Sequence, residues 1–235
     1  MNQNLMNVLN VPILYDLTLI IRNKYSLIRL NEKIYTNLLF YYYQDTRPKL
    51  VTINYEILQK KFGTLAQKVY NFQNYAQKYS FDEAKSVDCL DLLLSSIGFY
   101  PKHIISETEI NYGTITLNVP KIDYIIVNLA TAVSVTRAFR YRGEFNLSYA
   151  FLLLYKKIYS MRYAVLKFNE CWSCPVNRKY WSCPLTKINK QIIFIWCKSV
   201  RDANLLEYAF EQINTDLNVL VICAVCNDNE LFNSH

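Results

Sequence analysis

The 235 residues are 52% hydrophobic and 19% charged, which supplies a buried core and argues against wholesale disorder. Only 4 glycines are present, where ordinary usage of roughly 7% gives about 16, and neither GxGxxG nor a P-loop pattern occurs, so chemistry built on Gly-rich phosphate loops has almost nowhere to sit. The net charge of +7 is unevenly spread: residues 1–120 hold 12 basic and 10 acidic groups, 121–201 hold 14 and 3, and 202–235 hold none and 6.

The basic middle, which also carries Trp172, Trp181 and Trp196, is an electrostatic footprint suited to phosphates. Arg137, Arg140, Arg142, Lys156, Lys157, Arg178 and Lys179 are the expected nucleic-acid contacts, DNA before RNA. The competing reading is a solvated basic face that pairs with the acidic tail or with an acidic protein partner. Two histidines, His103 and His235, offer little for a His-based metal site or a Ser-His-Asp triad. Apolar runs such as Leu217–Cys226 fall short of the ~20 residues that cross a bilayer. The N-terminus lacks the basic flank and small-residue cleavage site of a secretory signal, so the expected location is cytoplasmic. Seven cysteines, odd in number and unevenly spaced, do not suit a secreted disulfide framework.

In chain order, the first 80 residues are expected to be helical. Leu14, Leu17, Ile21 and then Ile34, Leu38, Tyr41 follow a spacing of three to four until Arg47-Pro48 breaks the pattern. Asn54–Phe62 and Thr64–Tyr79 flank Gly63 as two helices, either an ordinary αα-hairpin or a helix-turn-helix whose second member reads DNA through Gln67, Lys68 and Asn71. A further helix over Phe81–Ser96 has Asp82 and Glu83 near its start and Gly98 as its stop. After Pro101 the texture becomes β-type at Ile104–Ile110, Thr114–Val119, Ile122–Asn128 and Ala132–Phe139, with a hairpin turn at Asn111-Tyr112-Gly113. Helix is expected again at Leu147–Ser160, strand at Tyr163–Phe168 and Ile192–Cys197, helix at Ala203–Ile213, and strand at Val219–Cys226. The whole reads as α/β: a helical region over 1–80, then a mixed-sheet core over 81–235 with a Cys-rich segment at 171–184.

The order of "LDLLLSSIGFYPKHIISETEI", "VPKIDYIIVN", "AVSVTRAF", "LSYAFLLLYKKIY" and "RYAVLKF" resembles the PD-(D/E)XK, or restriction-endonuclease-like, nuclease fold over about a third of the chain. The resemblance implies a strand-end aspartate, then an acid and a lysine on the next strand, holding Mg²⁺ at a scissile phosphate. Asp123 matches that aspartate, and Glu107 or Glu109 offers an upstream acid. The Glu-x-Lys positions hold Ser134-Val135-Thr136, without carboxylate or amine. A substitute catalytic set would take its acid from Glu144 and its cation from Arg137 or Lys156, and neither replaces a motif lysine group for group. A second partial match runs through "IIFIWCKS", "NLLEYAFEQIN" and "NVLVICAVC", with Trp196 at the acid position and Lys198 and Gln212 retained. Both matches suit a nucleic-acid-associated scaffold of viral, plasmid or defence-system type that has lost catalysis, with a Mg-dependent deoxyribonuclease as the alternative.

Cys171-x2-Cys174-x8-Cys183, with "WSCP" at 172–175 and again at 181–184, aims two knuckle-like turns at one point. Zinc and iron–sulfur clusters want four ligands. Cys197 is the expected fourth, with Cys223, Cys226 and Cys89 also open, and a disulfide or free buried thiols are the other readings. Cys223 and Cys226 lie in an apolar strand-like run, where alternation puts them on opposite faces and burial outweighs ligation.

Overall fold

The computed structural model describes residues 18–43, 47–73, 80–110, 120, 122–140, 143–172, 187–213 and 218–232. Their elements are β1 (Thr18–Arg22), β2 (Ser26–Asn31), α1 (Glu32–Tyr43), β3 (Lys49–Ile57), α2 (Thr64–Gln73), α3 (Ser80–Ser96), β4 (Ile104–Ser106), β5 (Tyr124–Ile126), β6 (Thr131–Ala138), α4 (Leu147–Trp172), β7 (Lys190–Cys197), α5 (Val200–Glu211) and β8 (Val219–Val225). Short 3-10 turns lie at Glu107–Glu109, Val127–Leu129 and Asn229–Leu231.

The eight strands form one mixed sheet in the order β1-β2-β3-β8-β7-β6-β5-β4. The inner four are parallel, and an antiparallel wing closes each side. Parallel strands covered on both faces read as unbroken apolar runs, and β7 and β8 do: from Ile192 to Cys197 and from Val219 to Val225 every residue is buried. Alternation splits β7 cleanly. Ile192, Phe194 and Trp196 pack with α1, α2 and α3, whereas Ile193, Ile195 and Cys197 pack with α4 and α5. The result is three layers, helix on sheet on helix.

The expectation of a purely helical first 80 residues needs correction. Ile21 lies in β1, and the segment expected to be a helix from Asn54 is the end of β3, so the helix-turn-helix is absent there. The cause is a period of two: Val51, Ile53 and Tyr55 are buried while Asn54 and Glu56 face solvent, and β3 pairs in parallel with β8. The β1–β2 turn is closed by the Asn23 carboxamide, whose Oδ1 accepts from the Tyr25 and Ser26 N–H groups at 2.8 and 2.9 Å. Helices α1 and α2 stand where the spacing put helix, and α3 ends at Gly98 with φ +87°, the left-handed stop expected of a glycine.

A second correction concerns Tyr163–Phe168, expected as a strand. These residues continue α4 as a single helix. Met161, Ala164, Val165 and Phe168 recur at helical spacing and bury one stripe against Ile105, Ile125 and Ala132 of β4, β5 and β6. Farther on, Ile104–Ile110 is strand only to Ser106 before its 3-10 turn. The strand and turn expected at 111–119, and residues 173–184 of the Cys-rich segment, lie outside the described residues. Among the described residues no helix is long and apolar enough to cross a membrane.

Candidate functional site

The β5–β6 hairpin places the candidate residues. Tyr124 pairs with Val133, and one residue earlier Asp123 is held by its backbone on both sides: its N–H donates to Val133 O at 3.1 Å and its carbonyl accepts from Glu107 N at 2.8 Å. Tyr124 and Ile126 belong to the α3-side core, so alternation turns Asp123 toward the α4 side together with Ile125. There the carboxylate Oδ2 accepts from the Val135 N–H at 2.6 Å. From α4 the Lys157 ammonium donates to Ser134 Oγ at 3.2 Å and to Val135 O at 3.3 Å.

These groups act on one another. Burial pushes the Asp123 carboxyl above its ordinary range, against the pull of the Lys157 charge, the Val135 N–H and the Ser134 hydroxyl, while Glu107 adds to the upward push. Ser134 is buried and Thr136 half-buried. Ser134 and Thr136 occupy the positions that the nuclease resemblance reserves for an acid and an amine, and the amine that arrives comes from α4.

The opposite face of the same hairpin carries a second polar group. Arg137 Nη1 donates to Leu231 O at 3.1 Å, and its Nε lies 3.6 Å from Asp82 Oδ2 in the first turn of α3. Burial raises the Asp82 carboxyl, while Arg137 and, more weakly, Lys157 pull it down. The Asp82 carbonyl accepts from Trp196 Nε1 at 3.0 Å. The Ser86 and Tyr124 hydroxyls share a hydrogen bond at 2.8 Å, which ties α3 to β5.

The other expected site residues scatter. Glu144 is turned to solvent and bonded to Arg201 at 3.2 Å. Glu109 closes its own 3-10 turn, accepting from both the N–H and the hydroxyl of Ser106 at 2.9 Å. Lys156 is exposed on α4, so the cation beside Asp123 is its neighbour Lys157. The guanidinium of Arg140 stacks 4.2 Å from the Tyr149 ring. Arg142, Arg178 and Lys179 lie outside the described residues. In the sequence Asp82 marks only the start of α3; its approach to Arg137 depends on how α3 packs on the sheet.

Of the cysteines, Cys171 falls in the last turn of α4, and Cys174 and Cys183 lie outside the described residues. Cys197 is fully buried in the apolar cluster between β7, β8 and α5, where the Cys223 thiol and then burial hold its own thiol well above the usual range. A metal ligand needs the thiolate, so this environment suits a structural thiol. Cys223 faces α5 and Cys226 faces the α3 side, on opposite faces as alternation requires, and both are buried free thiols. Among the described residues no three His, Cys, Asp or Glu side chains form a group able to hold a metal.

Asp123 has its Oδ2 taken by the Val135 N–H and an ammonium facing it, with Glu107 as the other carboxylate that acts on it, a poorer donor set for a divalent cation than clustered carboxylate oxygens and water. What the arrangement offers chemically is a half-buried carboxylate within reach of an ammonium's charge, and a hydroxyl–ammonium contact. A search of protein-family models finds no match to the chain, and neither the curated proteins nor the solved structures give one.

Proposed function

We propose that this is a nucleic-acid-associated protein whose nuclease-like core lacks efficient metal-dependent cleavage. The element run α3-β4-β5-β6-α4-β7, with neighbouring strands in the order β4-β5-β6-β7, supports the likeness to PD-(D/E)XK nucleases, with β7 in the place expected for residues 163–168. The observation that carries the impaired-catalysis part is the Lys157 contact to Ser134 beside Asp123. An ammonium supplies the local positive charge, and the position expected for an acid is a hydroxyl.

The nucleic-acid part rests on the basic middle of the chain, where 14 basic residues stand against 3 acidic ones. Phosphate contacts release condensed counterions, so the test is binding of labelled DNA across a salt series. Affinity should fall linearly on a log–log plot by roughly 0.9 decade per decade of salt for each phosphate neutralised on duplex DNA. Absence of binding at low salt, or binding indifferent to salt, refutes the reading.

A further inference from the structure

We propose that the outward face of α4 is a stacking platform for single-stranded nucleic acid; the proposal deepens the nucleic-acid reading above and rests on it. Helix α4 is anchored by its inward stripe, where Ala150, Leu154, Ile158, Met161, Ala164, Val165 and Phe168 are all buried. Its outward side is a second stripe of large rings. Phe151, Tyr155, Tyr159 and Tyr163 recur every four residues, about 6 Å apart along the axis, and are 42%, 47%, 41% and 44% exposed. The Phe151 and Tyr155 rings lie nearly parallel, 6.3 Å apart at 16°, and Tyr155 and Tyr159 meet at 4.4 Å.

Charge decides what covers this face. Lys156, Lys157, Arg162 and Lys167 are the ionisable cations of α4, against Glu170 as its single carboxylate, which is paired with Lys167 at 2.6 Å. The Lys167 ammonium also stands 5.7 Å from the Tyr163 ring centroid. A second copy docked helix to helix would set like charges against each other. A single strand offers what the face lacks: phosphates for the exposed Lys156 and Arg162, and unpaired bases whose π-faces stack on exposed rings without regard to sequence. A duplex keeps its base faces covered and leaves the rings idle.

The test is anisotropy of the full chain with a labelled oligothymidylate of roughly 16 nucleotides and with a duplex of equal length. The variants are Tyr155→Ala with Tyr159→Ala, and Tyr155→Phe with Tyr159→Phe. Both positions face outward, so the helix keeps its buried stripe, which circular dichroism checks. The alanine pair should weaken single-strand binding by about tenfold per ring and leave duplex binding, which rests on phosphate contacts, unchanged, and the phenylalanine pair should restore the wild-type value. Single-strand affinity unchanged in the alanine pair, with duplex binding intact, overturns the platform while the nucleic-acid reading stands. A wild-type dimer that the alanine pair dissociates in sedimentation velocity also overturns it. Failure to bind either nucleic acid refutes the underlying reading instead.

Discussion

Lys157 on α4 donates to the Ser134 hydroxyl of β6 at 3.2 Å, so a cation from a neighbouring helix is tied to the strand hydroxyl beside Asp123. The same ammonium pulls the Asp123 carboxyl down against burial. One lysine therefore offsets a buried carboxylate and occupies the hydroxyl beside it, which links α4, β5 and β6 through a polar contact as well as through packing.

Removing that cation has a defined electrostatic sign. In Lys157→Met the downward pull on Asp123 disappears while the burial stays, so the Asp123 carboxyl should titrate at higher pH than in the wild type. Lys157→Arg should lie between the two. Carboxyl-carbon NMR titration reads this directly, and an Asp123 titration that does not move in Lys157→Met contradicts the coupling.

Trp196 gives a prediction about stability. Its ring is completely buried, 5.2 Å from Tyr55 and 4.8 Å from Phe194, and its indole N–H satisfies the Asp82 carbonyl. Trp196→Phe keeps most of the apolar volume but removes this second hydrogen bond to a carbonyl that also serves the α3 ladder, at a cost of about 0.5–1.5 kcal/mol. Urea unfolding should show a lower midpoint with an unchanged slope. A midpoint equal to wild type would mean that the hydrogen bond contributes nothing.

Asp88 supplies a pH dependence. Its Oδ1 accepts from Gly63 N at 2.9 Å, where a side chain at residue 63 would collide, and its Oδ2 lies 3.5 Å from the fully buried Lys85 ammonium. Lys85 donates in turn to the carbonyls of Gln59 and Lys61, which pins the loop after β3 to α3. Burial, opposed by the Gly63 N–H and Lys85, pushes the Asp88 carboxyl from 3.8 up to about 6. A folded-state value above the unfolded one means that the folded protein holds the extra proton between those limits. The contribution of this group to stability is therefore full below pH about 4 and lost as pH rises through about 6, up to roughly 3 kcal/mol in all. As pH rises through that window the denaturant midpoint of the wild type should fall relative to that of Asp88→Asn, whose profile is the flatter. Parallel profiles would contradict the assignment.

How much of this was legible depends on which signal each residue carries. The central strands β7 and β8 announce themselves because doubly covered strands are continuous apolar runs, whereas β6 shows itself through its β-branched Thr131, Val133, Val135 and Thr136. Strand β3 was hidden because its alternation, Val51-Thr52-Ile53-Asn54-Tyr55, abuts a segment whose polar residues read equally well as a helix face. In α4 the aromatic and β-branched residues Tyr163 and Val165 suggested a strand, yet the helical spacing of Met161, Ala164 and Phe168 prevailed through burial. The choice between Lys156 and Lys157 was available from the same period. Leu154, Ile158 and Met161 mark the buried stripe, and residue 157 lies beside it while 156 is turned outward by about 100°. Nothing local indicated Asp82 beside Arg137, since that contact is made only when α3 lies across the sheet.

Whether the proposed nuclease-like core holds nucleic acid without cutting it efficiently is read from cleavage of end-labelled DNA by the purified full chain in Mg²⁺ or Mn²⁺, at a salt concentration where binding is established. Metal-assisted hydrolysis needs carboxylates that hold the cation at the reacting phosphate, whereas Asp123 here engages the Val135 N–H and faces Lys157. Bound, intact DNA is expected, with a rate that Asp123→Ala does not change. Robust turnover abolished by Asp123→Ala would contradict it and make the protein a working nuclease.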